Sequence, residues 1–136
     1  MPFPKPLQAS IIYQDAQVYA CLAMRPITKG HTVVVWKRSV RDLHLLSCEE
    51  YEHLMHVVDA VRDALQQELR VAKVYLIYMD EARHVHWHLV PRYNEQGFNV
   101  FAHAPKRVRT FPLATKLRKR LSRVIPRHEE FYGGTE

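Results

Sequence analysis

The chain has 136 residues with ordinary shares of hydrophobic (47%) and charged (25%) side chains, which predicts one globular domain over residues 1–136. No apolar run approaches the roughly 20 residues of a membrane-spanning helix, so we expect no membrane span. The formal net charge of +6 belongs to the C-terminal part, because residues 1–104 hold 11 basic and 11 acidic side chains whereas residues 105–128 hold nine basic and no acidic ones.

The first third of the chain predicts three short strands. Residues 11–13 and 18–24 are rich in apolar and β-branched side chains and flank a short polar turn, so they are expected to form a hairpin. Thr32–Trp36 follows Gly30 and His31 and is dense in β-branched residues, which favours a central strand.

A long amphipathic helix is expected next. Ser47 and Glu50 have the spacing of a capping box, and apolar residues then recur at every third or fourth position through about Arg70. Strands combined with one long helix indicate an α+β domain, in which an antiparallel sheet carries the helix on one face. Part of the other face is expected to be covered by a second copy of the chain.

The second half of the chain predicts two more strands and a basic helix. Residues 74–79 and 84–90 have strand patterns, and the short connection between them indicates an antiparallel hairpin. Apolar spacing after Pro112 predicts a C-terminal basic helix, which Pro126 is expected to stop.

Three histidines alternate with apolar residues in the last of these strands. His84, His86 and His88 are spaced by two residues, so on a strand they share one face while Val85 and Trp87 anchor the other. Three imidazoles on one rigid element suit metal ligation, nucleophilic catalysis or phosphate binding. Solvent-facing polar residues on an amphipathic strand are the structural alternative, but lysine, threonine or glutamate would serve equally well there.

The run from His84 to Arg92 reads His-Val-His-Trp-His-Leu-Val-Pro-Arg, and on this motif the chain resembles the histidine triad (HIT) family of nucleotide hydrolases and transferases. Gly30 and His31, followed by a β-branched strand, resemble the family's upstream element, which carries a fourth active-site histidine. The resemblance covers about residues 10–100 and leaves a basic extension over residues 105–136.

The resemblance implies a homodimer of α+β subunits and phosphorus chemistry that requires no cofactor. His86 is the expected nucleophile, since a neutral imidazole can attack phosphorus at pH 7. The attack on the α-phosphate of a dinucleoside polyphosphate, phosphoramidate or adenylylated substrate forms a nucleotidyl-histidine, which water then cleaves. His84, His88 and His31 are expected to orient the nucleophile, contact the phosphate or shape the surrounding wall.

Two departures from the family pattern bear on the substrate. The connection before the triad is short and lacks the Gly-Gln or Gly-Ser that assists the leaving group in many members, so the chain is more similar to a short-loop branch with His-Trp-His and Pro-Arg-Tyr. Asp80 in this connection is a candidate substrate-binding residue, with a local turn role as the alternative. Ala23 stands where better-known members carry an Asp or Asn that grips the ribose, so the ribose must be held elsewhere.

Two other functional classes remain open. A histidine-ligated metal enzyme is disfavoured because the outer triad residues lie about 13 Å apart along a flat strand at ~3.3 Å per residue, so we expect no metal site. The basic extension suggests a non-catalytic nucleotide- or nucleic-acid-binding module, or a branch that removes adenylate from DNA ends. Residues 105–128 are expected to contact polyanions weakly.

The compartment is predicted from the start of the chain and from its cysteines. The proline-rich start lacks the apolar stretch of a secretory signal. Cys21 and Cys48 form neither a disulfide framework nor a CxxC motif. We therefore expect a cytoplasmic protein.

Overall fold

The computed structural model describes residues 3–79, 82–94, 96 and 99–133, with 125–133 described as backbone alone. In this part of the chain, five strands form one antiparallel sheet in the order β1-β2-β3-β5-β4. Two helices complete the α+β fold, which confirms the predicted class. The strands are β1 (Ile11–Gln14), β2 (Val18–Leu22), β3 (Thr32–Trp36), β4 (Lys73–Tyr78) and β5 (His86–Arg92), and the helices are α1 (Cys48–Leu69) and α2 (Ala114–Gly133).

Helix α1 begins where the sequence predicts it. The Ser47 hydroxyl accepts a hydrogen bond from the Glu50 N–H at 3.1 Å, and the Glu50 carboxylate accepts one from the Ser47 N–H at 2.9 Å. This reciprocal pair satisfies two backbone donors that the first helical turn leaves free. The helix ends at Arg70, whose φ of 54° lies in the left-handed region that commonly terminates helices.

The main hydrophobic core lies between the two helices and one face of the sheet. Val34 and Trp36 from β3 and Leu89 from β5 are fully buried beneath the helices. Leu117 and Leu121 from α2 join the same core, so both helices cover this face. Alternation along each strand sends the intervening side chains to the opposite face, which is where the histidines lie.

Strand β5 is shifted relative to its prediction. It begins at His86 rather than at His84 and continues through Pro91 to Arg92. Proline is tolerated because the pairing with β3 ends at Leu89, so the missing N–H removes no bond from that ladder. The start is late because the pairing with β3 begins at the Val35–His86 pair, and His84 lies in the preceding bend.

Helix α2 is longer than predicted. The expectation that Pro126 stops it is wrong, because the helix continues to Gly133. Proline holds φ near the helical value, so the backbone can continue at the cost of one hydrogen bond. Among the described residues, no helix is long and apolar enough to cross a membrane.

Candidate active site

The triad histidines are held by β5 and by the bend before it. His86 is 6% exposed, and His88, two residues further along β5, is half-buried on the same face. Their ring centroids lie 5.0 Å apart with an interplanar angle of 78°. Because β5 is paired on both sides, by β3 and by β4, these two imidazoles stand on a rigid support.

His31 reaches the triad from the turn before β3. Gly30 has a φ of +89°, and a Cβ on it would lie 2.5 Å from Leu69 Cδ1, so both the backbone conformation and the space favour glycine here. The His31 N–H donates to Thr28 O at 3.0 Å, and the Thr28 hydroxyl donates to Pro91 O at 2.7 Å. The turn is thereby fastened to the end of β5.

A hydrogen-bond chain fixes where the protons sit on His31 and His88. The Ile27 N–H donates to His31 Nδ1 at 3.0 Å, so the proton of a neutral His31 is on Nε2. That Nε2–H faces His88 Nδ1 at 3.0 Å and donates to it. His88 therefore carries its own proton on Nε2, which remains as a donor for a ligand.

The opposite tautomer is set for His86. Its Nδ1 lies 2.7 Å from the backbone carbonyl of His84, and a carbonyl can only accept, so Nδ1 carries the proton. In the neutral imidazole, Nε2 then holds the free lone pair. His84 itself is turned aside, since its Nε2 lies 2.6 Å from Trp36 O and donates to it. His84 thus contributes its carbonyl to the site while its ring nitrogen is engaged elsewhere.

Burial keeps two of the imidazoles uncharged. Desolvation, assisted by the neighbouring His88, lowers the pKa of His31 to about 3. Desolvation together with the neighbouring His86 lowers the pKa of His88 to about 4. Both rings are therefore neutral at pH 7, as the hydrogen-bond chain requires.

The histidine cavity is the space of about 360 Å³ into which His31, His86 and His88 open. Aromatic and apolar groups form much of its wall, and the Phe3 ring lies 4.8 Å from His84 and 4.9 Å from His86 between centroids. No aspartate or glutamate lines the cavity among the described residues, whereas three cationic side chains do: Lys5, Arg25 and Arg107. The site is shaped for an anion with an apolar part.

The predicted site residues are brought together unevenly. His31, His86 and His88 meet at the cavity, and Ala23 lines it without offering a polar group. His84 lies in the bend before β5, where its ring packs against Phe3 as the ring of His86 does, and it does not line the cavity. Asp80 lies outside the described residues.

Phe3 and Arg107 line the cavity although sequence reasoning assigned them no place there. Phe3 lies in the proline-rich start and Arg107 in the basic extension, both remote from the motif. The positive charge of residues 105–128 was the one signal that pointed to the second of them.

Within the described ranges, no group of three or more His, Cys, Asp or Glu side chains is arranged to hold a metal ion. His31 Nε2 and His88 Nδ1 lie 3.0 Å apart because the first donates a hydrogen bond to the second.

The pattern of the HIT domain matches residues 5–95, which is more than half of the chain. The chain belongs to the HIT family. Protein hit of Bacillus subtilis is 26% identical over 96 residues, covering 65% of this chain and 66% of that relative, just under two thirds. A HIT-like protein of Mesomycoplasma hyorhinis is 34% identical over 95 residues, covering 64% of this chain and 84% of its own length.

Solved structures share the fold of this HIT protein. A Hit-like protein of Bartonella henselae, described as involved in cell-cycle regulation, has a TM-score of 0.69 at 21% identity, covering 85% of this chain and 88% of its own. A Zn-bound histidine triad family protein of Mycobacterium smegmatis also has a TM-score of 0.69, at 24% identity and 88% coverage of both chains. At these identities the likeness establishes the architecture.

Proposed function

We propose that this HIT protein is a nucleotide phosphohydrolase or nucleotidyl transferase that uses His86 as its nucleophile. The observation that carries the proposal is the hydrogen bond from His86 Nδ1 to the His84 carbonyl, which places the lone pair of the neutral imidazole on Nε2, in a cavity lined by cationic side chains. A lone pair held in one direction beside positive charge suits attack on a phosphate.

The proposed reaction has two steps at the α-phosphate of a nucleoside 5′-phosphate derivative. His86 Nε2 forms a bond to phosphorus, the bond to the leaving group breaks, and the leaving group takes up a proton. Water then forms a P–O bond, the P–N bond breaks, and a proton returns to solvent. With another acceptor in place of water, the same intermediate supports nucleotidyl transfer.

His88 and His31 support this reaction without forming a covalent bond. The Nε2–H of His88 is the donor proposed for a phosphate oxygen, and it lies on the ring beside His86. His31 holds that tautomer through its bond to His88 Nδ1, so the donor needs no rearrangement during the reaction. The His84 carbonyl fixes the ring of His86 by accepting its Nδ1–H, and the bond from His84 Nε2 to Trp36 O holds His84 itself in place.

The nucleoside is proposed to lie against the apolar wall of the histidine cavity. Phe3, Tyr19 and Met24 line this wall, and an aromatic ring offers a stacking face to a base. Ala23 lines the cavity but offers no polar side chain to the ribose, so the ribose is proposed to be held by other groups. The proposed substrates are dinucleoside polyphosphates, phosphoramidates or adenylylated molecules.

We propose a homodimer formed at the β4 edge of the sheet. The opposite edge, β1, is covered, because the Arg118 guanidinium donates to Ile11 O at 2.7 Å and to Ala9 O at 2.9 Å. Strand β4 has no such cover among the described contacts, and Leu76 on it is 37% exposed. An open edge that carries an exposed leucine is a template for pairing with a second copy of the chain.

The chemistry proposed here requires no metal, because the cationic side chains of the cavity supply the positive charge. Cys21 and Cys48 are both free thiols, which fits the reducing cytoplasm that we propose as the compartment.

The test compares wild type with His86→Asn and with the control His44→Asn, whose ring is exposed and outside the cavity. Asparagine can still donate to the His84 carbonyl but has no nucleophile at the Nε2 position. Each protein is mixed with diadenosine tetraphosphate or an adenosine phosphoramidate, quenched rapidly and weighed by intact-protein mass spectrometry. We expect an adenylate adduct or AMP release in wild type and His44→Asn, and neither in His86→Asn.

Equal AMP release by His86→Asn and wild type would overturn the assignment of the nucleophile. Nucleotide binding without turnover of either substrate, with and without added divalent metal, would favour the binding module. The basic segment that lines the cavity through Arg107 is the observation that supports this second candidate, including action at adenylylated DNA ends.

A further inference from the structure

The basic extension reaches the histidine cavity through residues 105–109, here named the strap. The Val108 N–H donates to Met24 O at 2.6 Å, which fastens the strap to the segment that follows β2. This bond brings Arg107, the residue before Val108, to the cavity wall. Arg107 and Arg109 are both exposed, but Arg109 does not line the cavity.

The cavity wall carries more positive charge than one phosphate group would neutralise. Arg107 joins Lys5 and Arg25 on the wall, and none of the three has an ion-pair partner among the described carboxylates. The neutral rings of His31 and His88 contribute no opposing charge. A phosphodiester at the point of attack carries one negative charge, so the remaining positive charge faces another part of the ligand.

We propose that Arg107 is a specificity-determining residue that binds the phosphates beyond the one attacked by His86. This inference rests on the proposed function. Among the proposed substrates, it favours nucleotides whose leaving group is a polyphosphate. A guanidinium presents several donors in a planar fork, which suits a chain of phosphate oxygens. A neutral amine leaving group would gain nothing from this contact.

The experiment measures affinity rather than turnover, with AMP and the cleavage-resistant α,β-methylene-ATP as probes. Isothermal titration is carried out on wild type, Arg107→Gln and the matched control Arg109→Gln. Loss of a charge-assisted contact predicts that Arg107→Gln weakens α,β-methylene-ATP binding about tenfold. AMP binding should change less than about twofold, since its phosphate lies at the histidines, and Arg109→Gln should leave both affinities near wild type.

Two results would overturn the assignment. An equal loss of triphosphate affinity in Arg107→Gln and Arg109→Gln would mean that the strap provides only a diffuse positive field. A loss of AMP affinity as large as that of α,β-methylene-ATP in Arg107→Gln would place this side chain at the first phosphate.

The two proposals fail separately. Suppose that wild type prefers the triphosphate and that this preference disappears in Arg107→Gln. This result supports the proposed role of Arg107 even if no adenylate adduct forms on His86. An adduct that depends on His86, together with an unchanged triphosphate preference in Arg107→Gln, leaves the catalytic proposal standing and refutes the role of Arg107.

Discussion

Acidification from pH 7 to pH 5 is expected to destabilise the fold through His31. This residue is 4% exposed, and its pKa in the folded protein is about 3, whereas an unfolded histidine has a pKa of about 6.5. At pH 5 the unfolded chain therefore binds a proton at position 31 that the folded chain does not. A basic group whose folded pKa is lowered contributes stability that is present above pH ~6.5 and is lost as the pH falls toward 3.

The size of this loss follows from the two pKa values. Protonation of the unfolded state lowers the free energy of unfolding by about 2 kcal/mol between pH 7 and pH 5. Because the folded pKa lies well below 5, protonation of the folded state offsets almost none of this. His88 adds a loss of the same sign, which remains when His31 is replaced.

Urea unfolding at pH 7 and pH 5 isolates the contribution of His31. We expect the stability of His31→Gln to fall by about 2 kcal/mol less than that of wild type between the two values. Thr32→Val is the matched control. It removes a buried hydrogen bond, from the Thr32 hydroxyl to Gly30 O, beside His31, and neither threonine nor valine titrates in this pH range. An equal fall in wild type and His31→Gln would refute the depressed pKa and the neutral hydrogen-bond chain built on it.

Two further predictions concern the turn before β3 and the edge of the sheet. Gly30→Ala should lower the free energy of unfolding by about 2–4 kcal/mol in urea titrations, from a φ of +89° and a Cβ placed 2.5 Å from Leu69 Cδ1. Adding Leu69→Ala should relieve the steric part only, and an unchanged stability of Gly30→Ala would contradict this account. Sedimentation equilibrium should give twice the 16.1 kDa chain mass for wild type and a shift to monomer for Leu76→Lys, where a lysine on β4 opposes pairing. A monomeric wild type at micromolar concentration would rule out the proposed dimer.

Local chemistry explains which parts of the fold could be predicted. The capping box at Ser47 specifies where α1 begins, and the apolar spacing that follows specifies that the segment is helical. Thr32–Trp36 is predicted with its observed bounds, because a run of β-branched side chains packs well on the pleated surface of a sheet. These signals depend on neighbours in sequence and need no knowledge of the tertiary structure.

The candidate site depends on contacts that sequence spacing does not reveal. His31 and His88 are 57 residues apart, and only the pairing of β3 with β5 brings their nitrogens to 3.0 Å. The motif suggested that His84 belongs to the strand, but the ladder with β3 begins at His86. Arg107 enters the cavity through one backbone bond, from Val108 to Met24, which no pattern in the sequence predicts.

A single layer of backbone separates the site from the core in β5. His88 opens into the cavity while Leu89, its neighbour in the chain, is fully buried beneath the helices. A one-residue insertion or deletion here would exchange the two faces, moving imidazoles into the core and leucine toward the cavity. The core and the proposed active site therefore depend on the same register of β5, and selection for a well-packed core also preserves the orientation of the proposed nucleophile.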